Sequence, residues 1–194
     1  MRHEETAGFL AGAHVKYGGG AFGVCLVTSG PGAIHALNGL YDAKLDGQPV
    51  VAILGQQART VLGGSYYQEI DLQSLYKDVA GSFCQTATHP AQIRHLVDRA
   101  VRIALADRTV TAIIVPNDLQ ELEAVTDAPA EHARLRSSVG YTAPRIVPEQ
   151  TDLQRAADVL NAGERVAMLV GRGALGATAE VTAIADALGA GVAK

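Results

Sequence analysis

The chain has 194 residues, of which 48% are hydrophobic and 19% charged: enough to bury one full core and part of a second, and too apolar for a disordered chain. A formal net charge of -4, with Lys and Arg forming no block, excludes the footprint of a nucleic-acid or anionic-membrane binder. Cys25 and Cys84 stand far apart with no histidine at ligand spacing, no apolar run is long enough to span a bilayer and no signal peptide pattern is present, so a soluble cytoplasmic protein without disulfides or zinc is expected.

The chain opens on a charged Arg-His-Glu-Glu cluster that runs directly into the small, apolar TAGFLAGAHV. Glu4 to Tyr17 reads as a helix whose Gly8 and Gly12 allow close packing, stopped by Gly18-Gly19-Gly20. FGVCLVT, Phe22 to Thr28, reads as a strand buried on both faces. After TSGPG, apolar residues at helical spacing predict a helix from Gly32 to Leu45, and VVAIL (Val50 to Leu54) a second buried strand ending in Gly55-Gln56. A loop containing Gly63-Gly64 and closing in YYQE precedes a short helix near Leu72 to Val79 and a strand at SFCQT. Pro90 to Ala106 carries the clearest amphipathic pattern, with Ile93, Leu96, Val97, Ala100, Val101 and Ala104 on one side and Arg94, Asp98 and Arg102 on the other. TVTAIIVP (Thr109 to Pro116) follows as a strand. This alternation predicts an α/β fold, a parallel sheet with helices on both faces.

Between Gln120 and Gln150 the periodicity is lost, and Pro129, Pro144 and Pro148 fall there, so residues 120–150 read as a linker between a domain at 1–119 and a second unit at 151–194. In that unit a helix from Thr151 to Leu160, a strand RVAMLV, the turn GRGALG and a helix from Ala177 to Leu188 lead to GAGVAK, the apparent start of another strand. Such a unit looks like the beginning of a longer Rossmann-like domain.

Three motifs carry chemistry. GRGALG fits the G-x-G-x-x-G pattern between a strand and a helix, where Gly171 and Gly173 give the close backbone approach a pyrophosphate needs. The acidic ribose-binding residue would fall at or beyond Lys194, so tight strand-to-helix packing explains the glycines equally well. TSGPG is neither a nucleophile elbow, since Val27 and Pro31 replace the required glycines, nor a P-loop, since Ala33-Ile34 follows Gly32. It is a rigid turn at the carboxyl end of a parallel strand, where α/β sheets bind ligands. Gly55-Gln56 ends the next strand in the same way, and Glu4 would be a third strand end on that edge if Met-Arg-His is the tail of a strand.

The order Arg-His-Glu, then TSGPG, then Gly-Gln, then Tyr-Gln-Glu resembles the pyrimidine-binding domain of thiamine-diphosphate-dependent enzymes, closest to the pyruvate oxidase and acetolactate synthase group. The likeness covers Arg2 to about Leu119, and the unit after the linker resembles the start of the central domain, which carries FAD in several members. It implies that Glu4, not Glu5, contacts the cofactor's aminopyrimidine N1′ and favours the imino form that takes the C2 proton. Such a carboxyl works best in a tightly packed apolar site with its pKa raised. The resemblance places Ser29, Gly30, Pro31, His35, Gly55 and Gln68 around the cofactor, and Arg108 with Gly171 and Gly173 around FAD. His35 is similar to the pyruvate oxidase branch, where acetolactate synthases usually have Asn, while Tyr67 stands where the family usually has Phe.

The family holds the diphosphate and Mg²⁺ through a Gly-Asp-Gly motif in a third domain, usually on a partner subunit, and no Gly-Asp-Gly occurs here. No metal ligand is therefore assigned. The family's first strand and helix also have no counterpart before His3-Glu4, and the expectation is an internal piece of a longer homo-oligomeric enzyme acting on a 2-oxo acid such as pyruvate, inactive by itself. Two other readings stay open: a dinucleotide-binding module built on GRGALG, and a non-catalytic docking partner or decayed gene product.

Overall fold

A computed structural model describes residues 1–125, 137 and 140–194. The chain divides into two compact units, Met1–Ala143 and Pro144–Lys194. Residues 126–136 and 138–139, in the stretch read as a linker, lie outside the described residues.

In the first unit, helix α1 (Glu5–Lys16) leads to strand β1 (Gly23–Val27), helix α2 (Pro31–Leu45) and strand β2 (Val50–Gln56). After a long loop come the single turn α3 (Leu72–Leu75), strand β3 (Cys84–Thr86), helix α4 (Ile93–Asp107), strand β4 (Val110–Pro116) and the short α5 (Asn117–Gln120). The four strands form one parallel sheet in the order β1-β2-β4-β3, with Cys25, Ala52, Ala112 and Cys84 in one row across it. Apolar strands joined by helical crossovers give this arrangement, because each face must be covered by a helix.

One face of the sheet, presenting Cys25, Val27, Val50, Ala52, Leu54, Val110, Ala112 and Ile114, packs with Ala7 and Ala11 of α1 and Ala33, Ala36, Leu40 and Ala43 of α2. Tyr76 is fully buried in this core, and its hydroxyl donates to the Ala33 carbonyl at 2.7 Å. The other face, with Val51 and Ile113, is covered by Leu96, Ala100 and Ala104 of α4.

The two first helices meet through small residues. A β-carbon on Gly39 would lie 2.4 Å from the Phe9 backbone nitrogen and 2.8 Å from the Glu5 carbonyl oxygen, and one on Gly8 would lie 2.9 Å from the Ala36 carbonyl oxygen. Backbone thus meets backbone, and Gly23 lets α1 sit equally close on β1, where an added β-carbon would stand 2.2 Å from the Ala11 carbonyl oxygen.

Two expectations are corrected. The first strand is not buried on both faces: its residues alternate, with Val24 52% and Leu26 71% exposed. Among the described residues it lies at the edge of the sheet, and the α4 cluster covers Val51 and Ile113 of the inner strands without including Val24 or Leu26. Met1 to His3 is not a strand tail either; Glu4 occupies the N-cap of α1, and no strand among the described residues lies outside β1.

In the second unit α6 (Gln150–Asn161), β5 (Ala167–Leu169), α7 (Thr178–Leu188) and β6 (Gly191–Ala193) follow in order, and β5 pairs with β6 in parallel. GRGALG lies between β5 and α7, with a 3-10 turn over Arg172–Ala174. An added β-carbon at Gly171, Gly173 or Gly176 would meet nothing within 4 Å, so these glycines do not serve tight packing within the described residues.

Candidate functional site

Parallel strands β1, β2 and β4 all deliver their carboxyl ends to one edge of the sheet. There a cavity of about 490 Å³ opens, lined among others by Thr28, Ser29, Gly55, Gln56, Gln57 and Gln68. Its floor is held by specific backbone shapes. Gly30 has φ 62° and ψ -121°, and a β-carbon there would stand 2.8 Å from Gln68 Cβ and 2.9 Å from the Gln68 carbonyl oxygen. Only glycine fits that turn. Pro31 begins α2, where its fixed φ suits the first helical position and its missing N–H costs nothing. Gly55 brings β2 beside the same turn, since a β-carbon on it would lie 3.3 Å from the Ser29 nitrogen.

The polar side chains at this edge hold one another. Ser29 is buried, and its Oγ accepts from Gln57 Nε2 at 3.0 Å. Gln56, also buried, donates through Nε2 to the Ile70 carbonyl at 3.0 Å and accepts from the Gln57 backbone N–H at 2.9 Å. Gln68 itself has φ 60°, in the left-handed region. The loop before it is clamped by Glu69, whose two carboxylate oxygens accept from the backbone N–H groups of Gly63 at 2.6 Å and Tyr66 at 2.9 Å. Those two amides hold the Glu69 carboxyl below its ordinary pKa.

Glu4 approaches the same edge from α1. A β-carbon on Gly32 would lie 2.7 Å from Thr28 Cγ2, so glycine is needed against Thr28, and 3.5 Å from Glu4 Cγ, an ordinary contact that places Glu4 beside this turn. Its Oε2 stands 3.1 Å from His35 Nδ1, and the His35 ring stacks on His3 with centroids 4.4 Å apart. Glu5 turns the other way, accepting from Asn38 on α2. The Glu4 carboxyl is not raised in pKa, as a sealed apolar site would make it. It is lowered, first by the hydrogen bond with His35 and then by its own backbone. The small residues of α1 bury Ala7, Gly8, Ala11 and Gly12, but Glu4 precedes the first turn and its side chain is 38% exposed.

Of the sequence-predicted residues, the fold joins Ser29, Gly55 and Gln68 around one cavity, with Gly30 and Pro31 shaping it, and pairs Glu4 with His35. Arg108 is elsewhere. It ends α4 in a left-handed turn, φ 50°, exposed ahead of β4, whose carboxyl end is the one at the cavity. Gly171 and Gly173 belong to the second unit. Gln57 and the clamping role of Glu69 were not singled out from the sequence; the signals were two glutamines in succession after an apolar strand, and the glutamate that closes Tyr-Gln-Glu.

A family model described as "Thiamine pyrophosphate enzyme, N-terminal TPP binding domain" matches residues 1–75. Over those residues the chain is similar to that domain family. Full-length comparison agrees. The chain is 36% identical over 185 residues, 95% of its length, to a Bacillus subtilis protein, YdaP, whose name describes it as thiamine pyrophosphate-containing. It is 34% identical over 97% of its length to a pyruvate oxidase of Lactiplantibacillus plantarum, and 32% identical over 96% to an acetolactate synthase of Arthrospira platensis. It spans 31%, 30% and 32% of those three relatives, so about a third of each. Among the described residues, no helix of either unit is long and apolar enough to cross a membrane.

Proposed function

We propose that this chain supplies the aminopyrimidine half of a thiamine diphosphate site in a 2-oxo acid decarboxylating enzyme, most like pyruvate oxidase. The observation that carries the reading is the meeting of Glu4 with the TSGPG edge. Glu4 Cγ stands beside Gly32, in the first turn of the helix that follows TSGPG, and its carboxylate can accept from a ring nitrogen held at that edge. When bound, thiamine diphosphate supplies a carbon acid whose conjugate base adds to a 2-oxo acid such as pyruvate. Glu4 would hold a proton at the pyrimidine N1′, and His35, 3.1 Å away, would orient the carboxyl toward it. Gly30, Pro31 and Gly55 would bring backbone against the ring, with Gln68 closing over it.

Mg²⁺ does not fit the described residues at this edge. Mg²⁺ requires near-octahedral oxygen ligands, and the one metal-competent group among the described residues is His3, Glu4 and His35, two thirds imidazole. A subunit or second chain carrying the diphosphate-binding domain would supply that half, in a cytoplasmic homo-oligomer. FAD is a separate part of the reading, supported by the open Gly171 and Gly173 backbone, where a pyrophosphate could approach; the exposed Arg108 offers a charge but no cradle.

The test uses an assembly that contains the diphosphate-binding domain. Glu4→Gln should lower turnover of pyruvate by about 10²–10⁴-fold, the range of a lost general acid-base group, while Glu5→Gln leaves it unchanged. Equal losses from the two variants would refute the assignment of Glu4.

A further inference from the structure

The geometry points to a binding site for one divalent transition ion, of the zinc, cobalt or nickel type, formed by His3, Glu4 and His35. One ligand atom from each of these residues lies within 4.8 Å of the other two. The Glu4 to His35 pair is already 3.1 Å apart. Two ligands of a tetrahedral zinc, each about 2.0–2.1 Å from the metal, stand about 3.3 Å from one another, so the pair is already at nearly the separation an ion requires and reaches it by rotation of the side chains.

The third ligand lies within reach of the pair. The ring of His3 lies on that of His35 at an interplanar angle of 25°, and because stacked imidazoles aim their lone pairs along nearly parallel planes, the His3 side chain, which belongs to no helix or strand, has to turn to bring a nitrogen onto the ion. The Nδ1 of His3 accepts from the Glu5 N–H at 3.3 Å and stands 3.7 Å from Glu5 Oε2, long contacts at an exposed site that the ring gives up when it turns. All three side chains remain open to solvent, at 50% for His3, 38% for Glu4 and 44% for His35, and an ion can enter with its remaining positions taken by water.

Ligand chemistry sets the class of ion. Two imidazoles and a carboxylate suit zinc, cobalt and nickel, whereas Mg²⁺ and Ca²⁺ ask for an oxygen shell that this cluster lacks. The consequence for the cofactor rests on the function proposed above: an ion on Glu4 would occupy the carboxylate meant for N1′, making such metals competitors of thiamine diphosphate. Metal binding itself does not depend on that reading.

The experiment is a titration of the full chain with Co²⁺, followed by visible absorption, and with Zn²⁺ by calorimetry. One ion per chain is expected, with the intense absorption of low-coordinate cobalt. Glu4→Gln, His35→Asn and His3→Gln should each weaken binding by at least ~10-fold, since loss of an outer-sphere partner alone costs that much. His14→Gln, on the far end of α1, should bind as before. Far-ultraviolet circular dichroism checks that each variant keeps its fold. Unchanged affinity in Glu4→Gln or His35→Asn, loss confined to His3→Gln, or no binding at all would overturn the site. In the two-domain assembly, added Zn²⁺ should raise the apparent Kd for thiamine diphosphate; cobalt binding without that effect would count against the cofactor reading and leave the metal site standing.

Discussion

Glu69 shows how one side chain can set the shape of a loop that carries a site residue. Its carboxylate accepts from Gly63 and Tyr66, and Gln68 beside it is held at φ 60° against the Gly30 turn. Because these donors favour the charged form, the folded pKa is below the unfolded one. The sign follows: the clamp contributes fully above the ordinary glutamate value and is lost as pH falls through the lowered folded value. Nuclear magnetic resonance of the full chain should therefore show the amide protons of Gly63 and Tyr66 shifting together as pH is lowered below the ordinary carboxylate range. In Glu69→Gln both should be insensitive to pH. Glu69 appeared in the sequence only as the last letter of Tyr-Gln-Glu, because its partners are backbone groups whose direction depends on the loop path. The pairing of Glu4 with His35 was hidden for a related reason: 31 residues separate them, and only the crossing of α1 over α2 joins them. The order of motifs was legible, but the charge state of Glu4 was not, since it depends on exposure at a helix end.

At the level of elements, helices and strands could be read from periodicity because that signal is local. Helix α4 keeps the three-and-four spacing of Leu96, Ala100 and Ala104 in its buried face, and Asp98 pairs with Arg102 on the opposite side at 3.0 Å. The short α5 was missed, as four residues after Pro116 show no period. The exposure of Val24 and Leu26 was missed because an apolar strand reads the same whether or not a neighbour covers it. The crossing of α1 and α2 supplies a graded test of close packing. At Gly39 an added methyl would meet the Phe9 nitrogen at 2.4 Å, a backbone atom that cannot rotate aside, whereas at Gly12 it would meet the Ala43 methyl at 3.3 Å. Replacing a helical glycine by alanine gains about 1 kcal/mol in propensity, while forced overpacking costs roughly 1–3 kcal/mol. Gly39→Ala should therefore lower the urea midpoint, the clash being at the severe end, and Gly12→Ala should leave it near the original value. A Gly39→Ala protein as stable as the parent would mean that α1 can lift from α2 at little cost, and the approach of Glu4 to His35 would then not be fixed by that crossing.

For the whole molecule the question is how much cofactor affinity one edge of one sheet can hold. Most binding energy for a diphosphate comes from a divalent ion and oriented backbone donors around the phosphates, and the Gly-Asp-Gly motif that organises them in the resembled family does not occur in this sequence. Under the proposed function the first unit would offer the Glu4 carboxylate and the edge formed by Ser29, Gly30, Pro31, Gly55 and Gln68. A hydrogen bond to a charged group contributes about 1.5–3 kcal/mol net, against roughly 8 kcal/mol for micromolar affinity. Glu4 is moreover 38% exposed, so water competes for it and the lower part of that range applies. Calorimetry of the 194-residue chain with Mg²⁺ and thiamine diphosphate should accordingly give a Kd well above micromolar, and addition of a chain bearing the diphosphate-binding domain should tighten it by orders of magnitude. Micromolar binding by the chain alone would place the phosphate contacts within these residues and overturn the division of the site proposed here.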